Sequence, residues 1–300
     1  VGRLPAGRIG PEQKVYVSYA YIPPRLDSIV LDTAGRIAVR VGTPHIAVPQ
    51  PPTLAAGEIR LANVFLEGPA PKLDAGHLYT VLEAAYPEPP AERPSVAERL
   101  LPKTMKRLAA GGRLKILAWG DSVTDGGFLS NVDRDRWQCQ FAARLRTRFP
   151  KARIELVTEA WGGRNSTIYL AEPPGSIHNY RTKVLGARPD LIVMEFVNDA
   201  GLHGKTLEAQ YGQLLRDIRG IGAEWLILTP HYIRPDWMGL KRQKRIDEDP
   251  RPYVKSLRAF AAKNHVALAD ASLRYGRLWR QGIPYNTLMM NAINHPAPYG

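Results

Sequence analysis

From Arg113 onward, short apolar runs alternate with amphipathic stretches of helical period, and this alternation restricts the fold more than any other feature of the chain. The runs at 114–118, 154–158, 191–196, 225–229 and 266–269 read as strands. Between them Trp137, Phe141 and Leu145 recur at four-residue spacing, Leu207, Tyr211, Leu214, Leu215 and Ile218 share one helical face, and a third helix is expected from about Tyr253 to His265. Strands separated by helices predict a parallel sheet with helical crossovers, so the apolar stripes read as core.

The first part of the chain follows a different rule. Residues 1–85 hold short β-rich runs at 14–22, 28–32, 36–41, 58–66 and 77–83, separated by Pro23-Pro24, Gly42-Thr43-Pro44 and Pro49-Gln50-Pro51-Pro52. Ile37, Val39 and Val41 alternate with other residues, as in a half-buried strand. A Pro-, Glu- and Ala-rich connector is expected near residues 86–95, and Ser95-Val96-Ala97-Glu98 matches a helix capping box. The expected organisation is a small, sandwich-like β domain over 1–90, a linker and helix over 91–112, and an α/β domain over 113–300.

Charge divides at the same place. Residues 1–100 contain 10 Lys+Arg and 10 Asp+Glu, so the formal +13 lies wholly in residues 101–300, with 31 basic and 18 acidic side chains. Such a field draws polyanions toward a surface and says nothing about chemistry. The basic residues are scattered and form no nucleic-acid-binding module, which argues against nucleic acid as a partner; the run Lys241-Arg242-Gln243-Lys244-Arg245 reads as a solvated loop. The single Cys139 excludes an intrachain disulfide, no zinc-type spacing occurs, and no apolar run is long enough to span a bilayer. The chain starts at Val1 without a signal peptide, as a mature or excised form would, and an extracytoplasmic or secreted location is compatible with it.

Four motifs stand in order: Gly120-Asp121-Ser122, Gly162-Gly163-Arg164-Asn165-Ser166, Asn198-Asp199 and Asn294-His295-Pro296. The first three directly follow strand runs, and ligands of open α/β sheets bind at the carboxyl ends of strands. Taken singly, Gly-Asp-Ser is a turn or helix cap, Gly163 a tight turn, and Asn198 an Asx turn. Together they supply a hydroxyl nucleophile (Ser122), an imidazole base (His295) and three donors for an oxyanion: the N–H groups of Ser122 and Gly163 and the amide of Asn198. Seven histidines compete for the role of base. His295 is preferred for its place in the order, and His231, after the fourth strand, reads as a pocket residue.

On these motifs the second part resembles the SGNH, or GDSL-type, hydrolase superfamily. The resemblance covers about residues 113–300. It implies a flavodoxin-like three-layer α/β/α sandwich, with Ser122 as nucleophile, Gly163 and Asn198 in the oxyanion hole, and His295 as base. Three departures stand out. Phe196 occupies the slot where the family has Gly, which is expected to narrow the site. Ala292 stands where the family places an Asp three residues before the His. The expected substitutes for that Asp are a backbone carbonyl, Asn291, or an acid from elsewhere such as Asp270, with Asp121 and Asp199 as further orienting candidates. In the family a helix normally follows the His-Pro block, whereas the sequence given ends at Gly300, five residues after His295. Relatives in carbohydrate esterase family two act as Ser-His dyads and carry an N-terminal β-sandwich.

The expected activity is hydrolysis of short acyl esters, acetyl above all, on a small molecule or polysaccharide, without metal or cofactor. The string from Ala160 to Ser166 is similar to acetylxylan-esterase-like members, and Trp161, Trp237 and Tyr232 are candidates for stacking on sugar rings. The alternatives are a lipolytic or thioester-cleaving hydrolase and a non-catalytic glycan-binding protein on the same fold.

Overall fold

The computed structural model describes Lys14, Tyr16, Ser18 and residues 21–68, 72–85, 92–240, 249–291 and 293–298. The expected strand at 14–22, most of the connector and the basic run at 241–245 fall largely or wholly outside the described residues.

The N-terminal region forms a four-stranded antiparallel sheet of β1 (Arg25–Leu31), β2 (Ile37–Arg40), β3 (Ile59–Leu66) and β4 (Leu78–Thr80), in the order β2-β1-β3-β4. Short helices α1 (Val96–Leu100) and α2 (Pro102–Ala109) follow, and the capping box at Ser95 is formed by both of its hydrogen bonds. The second sheet contains β5 (Arg113–Gly120), β6 (Arg153–Ala160), β7 (Leu191–Glu195), β8 (Glu224–Leu228) and β9 (Ala267–Ala269). Its order is β6-β5-β7-β8-β9, every pair parallel. The helices are α3 (Ser122–Asp125), α4 (Val132–Asp135), α5 (Trp137–Arg148), α6 (Ser166–Ala171), α7 (Gly204–Gly220), α8 (Pro252–Asn264) and α9 (Ala271–Arg280). This is the doubly wound α/β arrangement that the resemblance implies, preceded by an antiparallel β region.

The two-residue period of the strands sorts their side chains into two layers. Leu117, Trp119, Ile192 and Met194 pack against Tyr169 of α6, Leu207, Tyr211 and Leu214 of α7 and Leu257 of α8. Leu114, Ile116, Leu191 and Val193 face the opposite way, toward Leu108 of α2 and Phe141 and Leu145 of α5. A third cluster crosses the junction of the two sheets: Leu26, Phe65 and Tyr79 of the N-terminal sheet pack with Tyr232, Trp279, Leu288 and Met289. Buried polar groups bind the same seam, where Asn63 accepts from Ser28 Oγ at 2.7 Å and donates Nδ2–H to the Gly282 carbonyl at 2.6 Å.

One strand departs from its expected orientation. Ile37, Val39 and Val41 point to solvent, at 72%, 58% and 64% exposure. Register explains it: Ile37 lies opposite Leu31 and Val39 opposite Ile29, whereas the face of β1 that meets the seam carries Leu26, Ser28 and Val30.

Candidate active site

The chain leaves β5 to form β6 on one side and then β7 on the other, so the sheet has a switch point at the carboxyl end of β5, where such sheets open a crevice. Ser122 sits there, two residues beyond Gly120, at the start of α3. The turn admits only a small residue at 120: a Cβ would fall well inside van der Waals contact with the Thr124 hydroxyl and the Glu195 carbonyl. Asp121 caps α3 by accepting the Val123 N–H at 3.0 Å and takes the Asn198 N–H at 2.9 Å on its other oxygen. One buried carboxylate thereby ties the Ser122 turn to the loop after β7.

His295 reaches Ser122 from the far end of the sequence, with Nε2 3.1 Å from Oγ. Its ring stacks on Phe128 at 4.2 Å between centroids and 5° between planes. The loop beneath it is bolted at several points. Asn291 Oδ1 accepts the N–H groups of Ile293, Asn294 and His295, each at 3.0 Å. Met290 donates its N–H to the His295 carbonyl at 2.8 Å, and Ile293 accepts from the Arg234 N–H at 2.8 Å. The buried His231 meets the Asn294 carbonyl through Nε2 at 2.9 Å, which requires that nitrogen to carry the proton. Burial drives the His231 pKa down to about 3, with the Arg251 charge acting in the same direction, so its ring is neutral across the physiological range. Partial burial also lowers the His295 pKa, which favours the unprotonated ring a base requires.

Asn291 thus acts on the loop backbone, and Asp270 is committed elsewhere: it caps α9 and binds Arg258 and Thr229. Ala292, in the family's Asp slot, lies outside the described residues. Among the described residues no group hydrogen-bonds His295 Nδ1.

Gly163 has φ of +73°, a left-handed conformation suited to glycine, and is exposed. Its neighbour Gly162 comes closer to the serine, since a Cβ there would lie 3.7 Å from Ser122 Cβ. Asn198 gives one amide hydrogen to the Arg164 carbonyl at 3.2 Å and retains a second. Asp199 is buried and accepts from Ser166 N–H, Ser166 Oγ and Tyr211 OH at 2.9, 2.6 and 2.9 Å, so it braces the two loops from below. Trp161 flanks the site, with His178 stacked on its indole at 4.4 Å and the Arg164 guanidinium over the ring at 5.1 Å.

Two expectations about aromatic residues are corrected. Phe196 does not narrow the site; it turns into the core, edge-on to Trp119 at 5.2 Å and to Tyr169 at 5.8 Å. Tyr232 is 2% exposed inside the seam cluster and has no face for a sugar, whereas Trp237 is 58% exposed.

Phe128 and Glu195 were not anticipated from the sequence. Phe128 follows the Gly126-Gly127 pair, where nothing marks it as a partner for a distant imidazole. Glu195 is legible in retrospect as the acid ending an otherwise aliphatic strand. It is fully buried, receives a long 3.4 Å contact from Thr124 Oγ1, and its Oε1 has no hydrogen-bond partner among the described residues. Burial first, then the neighbouring Asp121, hold its pKa well above the usual carboxylate range. Burial also raises Asp121 to about 7 and Asp199 to about 6, although their N–H and O–H donors pull the other way.

A model of the GDSL-like lipase/acylhydrolase family matches residues 118–300, and the chain belongs to that family. Among solved structures it is similar to a two-domain esterase active on acetylated mannans, at 20% identity and TM-score 0.53, covering 68% of this chain and 49% of that one. The chain thus spans about half the length of that esterase. An acetylxylan esterase from Geobacillus stearothermophilus, solved as a catalytic mutant, matches at 16% identity and TM-score 0.48, over 62% of this chain and 88% of its own. A lipolytic G-D-S-L protein from Veillonella parvula matches at 19% identity and TM-score 0.42, over 62% and 90%. No curated protein sequence matches the chain.

Proposed function

We propose that this protein is a serine esterase that removes short acyl groups, acetyl above all, from a carbohydrate. The observation that carries the reading is the 3.1 Å approach of His295 Nε2 to Ser122 Oγ at the switch point of the sheet. In the resting enzyme Nδ1 carries the ring proton and Nε2 accepts. Ser122 Oγ attacks the ester carbonyl while its proton passes to His295 Nε2. The tetrahedral oxyanion is met by the N–H groups of Ser122 and Gly163 and by the uncommitted amide hydrogen of Asn198. Collapse transfers the proton from His295 to the leaving alkoxide. Water, deprotonated by the same nitrogen, then releases the carboxylic acid and frees Ser122.

Loss of the triad carboxylate costs a well-studied serine protease about ten-thousandfold in turnover, largely because the imidazole adopts the wrong tautomer. Here the Phe128 stack and the bolted 291–295 turn hold the ring in place by other means. A carbohydrate substrate is supported by the exposed indole of Trp237, at 58% exposure, and by the likeness to an esterase active on acetylated mannans.

The test combines a phosphonate serine probe with p-nitrophenyl esters of increasing chain length. Label on Ser122, loss of label and turnover in Ser122→Ala, and a sharp preference for acetate are expected. Peak activity on octanoate or longer esters supports a lipolytic enzyme instead, and a folded protein that takes no label overturns the serine mechanism.

A further inference from the structure

Arg164 differs from the other arginines around the site. Arg134 and Arg234 are held by Asp135 and Asp236, and Arg136 donates Nε–H to the Asp125 carbonyl at 2.6 Å. The exposed Arg164 side chain has no carboxylate or carbonyl partner among the described residues; it is held by its approach to the Trp161 ring. Its backbone is fixed on both sides. The Arg164 carbonyl receives the Asn198 amide at 3.2 Å, and its N–H donates to the Trp161 carbonyl at 3.2 Å. A guanidinium with five free N–H donors therefore stands one residue from Gly163 and two from the glycine that faces Ser122.

The carboxylates nearby do not compete for this charge. Asp121 is taken by two backbone N–H groups, Asp199 by Ser166 and Tyr211, and Glu159 by His178 at 2.8 Å and Tyr169 at 3.2 Å. Asp125 caps the Gly127 N–H. The long-range field has the same sign, because residues 101–300 carry 31 basic against 18 acidic side chains.

We propose that the substrate is an acidic glycan, and that Arg164 determines this specificity by binding a uronate carboxylate beside the ester under attack. The proposal rests on the esterase reading above and adds the charge of the substrate to it. A planar guanidinium fork pairs with a planar carboxylate through two parallel hydrogen bonds, and an indole behind it limits its rotamers before substrate arrives.

Acetylated polygalacturonate tests this against the same polymer with its carboxylates methyl-esterified, acetate release being the readout for both. The wild type should show kcat/KM at least about tenfold higher on the acidic polymer, mainly through KM. That advantage should shrink between about 20 and about 300 mM NaCl as the charges are screened. Arg164→Gln should bring the ratio of the two polymers to about one, and Arg164→Lys should restore part of it. Equal rates on both polymers in the wild type, or an equal loss on both in Arg164→Gln, overturn the assignment of Arg164. Absence of acetate release from either polymer and from p-nitrophenyl acetate, with Ser122 unlabelled by the phosphonate, overturns the esterase reading itself.

Discussion

Replacing Asn63 by Ala tests whether the two sheets fold as one structure. Asn63 is fully buried on β3, and it links Ser28 within the N-terminal sheet to the Gly282 carbonyl at the end of α9, at 2.7 and 2.6 Å. Ser28 Oγ keeps one bond, from Arg60 Nε at 3.0 Å, but loses its acceptor, and the Gly282 carbonyl loses this donor. A buried polar group left unmet costs about 1–3 kcal/mol, so the hydroxyl at the lower end and the carbonyl in mid-range together predict about 2–4 kcal/mol. For a chain of this size that corresponds to a fall in Tm of about 3–6 °C. Urea unfolding followed by tryptophan fluorescence reads the change directly, because Trp279 lies 5.9 Å from Tyr79 across the seam. Wild type and variant should each unfold in one transition, with the midpoint lowered and the slope kept. Asn63→Asp should be worse than Ala, since it sets a carboxylate against the Gly282 carbonyl. A loss under about 0.5 kcal/mol, far below the cost of one orphaned group, or an N-terminal transition separate from the rest, would refute the claim that the seam is continuous core.

Three further outcomes are expected. Because burial lowers the His295 pKa and only the neutral ring accepts a proton, the acid limb of kcat/KM on p-nitrophenyl acetate should have its midpoint below 6.5, the ordinary histidine value; a midpoint above it contradicts the environment described for the ring. Asp121, Asp199 and Glu195 have folded pKa values raised to about 7, to about 6 and well above 4.5, so the native chain holds more protons than the unfolded chain between their unfolded and folded values. Stability should therefore fall as pH rises from about 4 through about 7, and Glu195→Gln, which cannot ionise, should flatten that slope in urea titrations at several pH values. Asn198→Ala should lower kcat by about 10²–10³ with a smaller effect on KM, as expected for a donor engaged chiefly in the transition state; a change confined to KM would remove it from the oxyanion hole.

The strand runs were legible because a parallel sheet buries both faces and leaves an uninterrupted aliphatic signature, and each of the five expected runs is a strand of the second sheet. The order of the motifs was legible because each loop follows its strand. What hydrogen bonds join those loops was not. Asn291 appeared as a partner for the imidazole and instead gathers three backbone N–H groups, a choice set by the turn rather than by residue type. His231 appeared as a pocket residue and is found beneath the loop, bound to the Asn294 carbonyl. Ile37 and Val39 carried a clear period of two, but a period reports that one face differs from the other and not which face meets the core. Phe196 was expected at the site from its slot in a motif; its side chain was claimed by Trp119 and Tyr169, contacts no local pattern encodes.

The seam has a practical consequence for anyone dividing this gene. Expressing either half alone would strip Leu26, Phe65 and Tyr79 from Trp279, Leu288 and Met289. On the N-terminal fragment that newly bared surface would add to the aliphatic residues Ile37, Val39 and Val41 already facing water on the opposite side, leaving a thin sheet greasy on both sides and prone to precipitate.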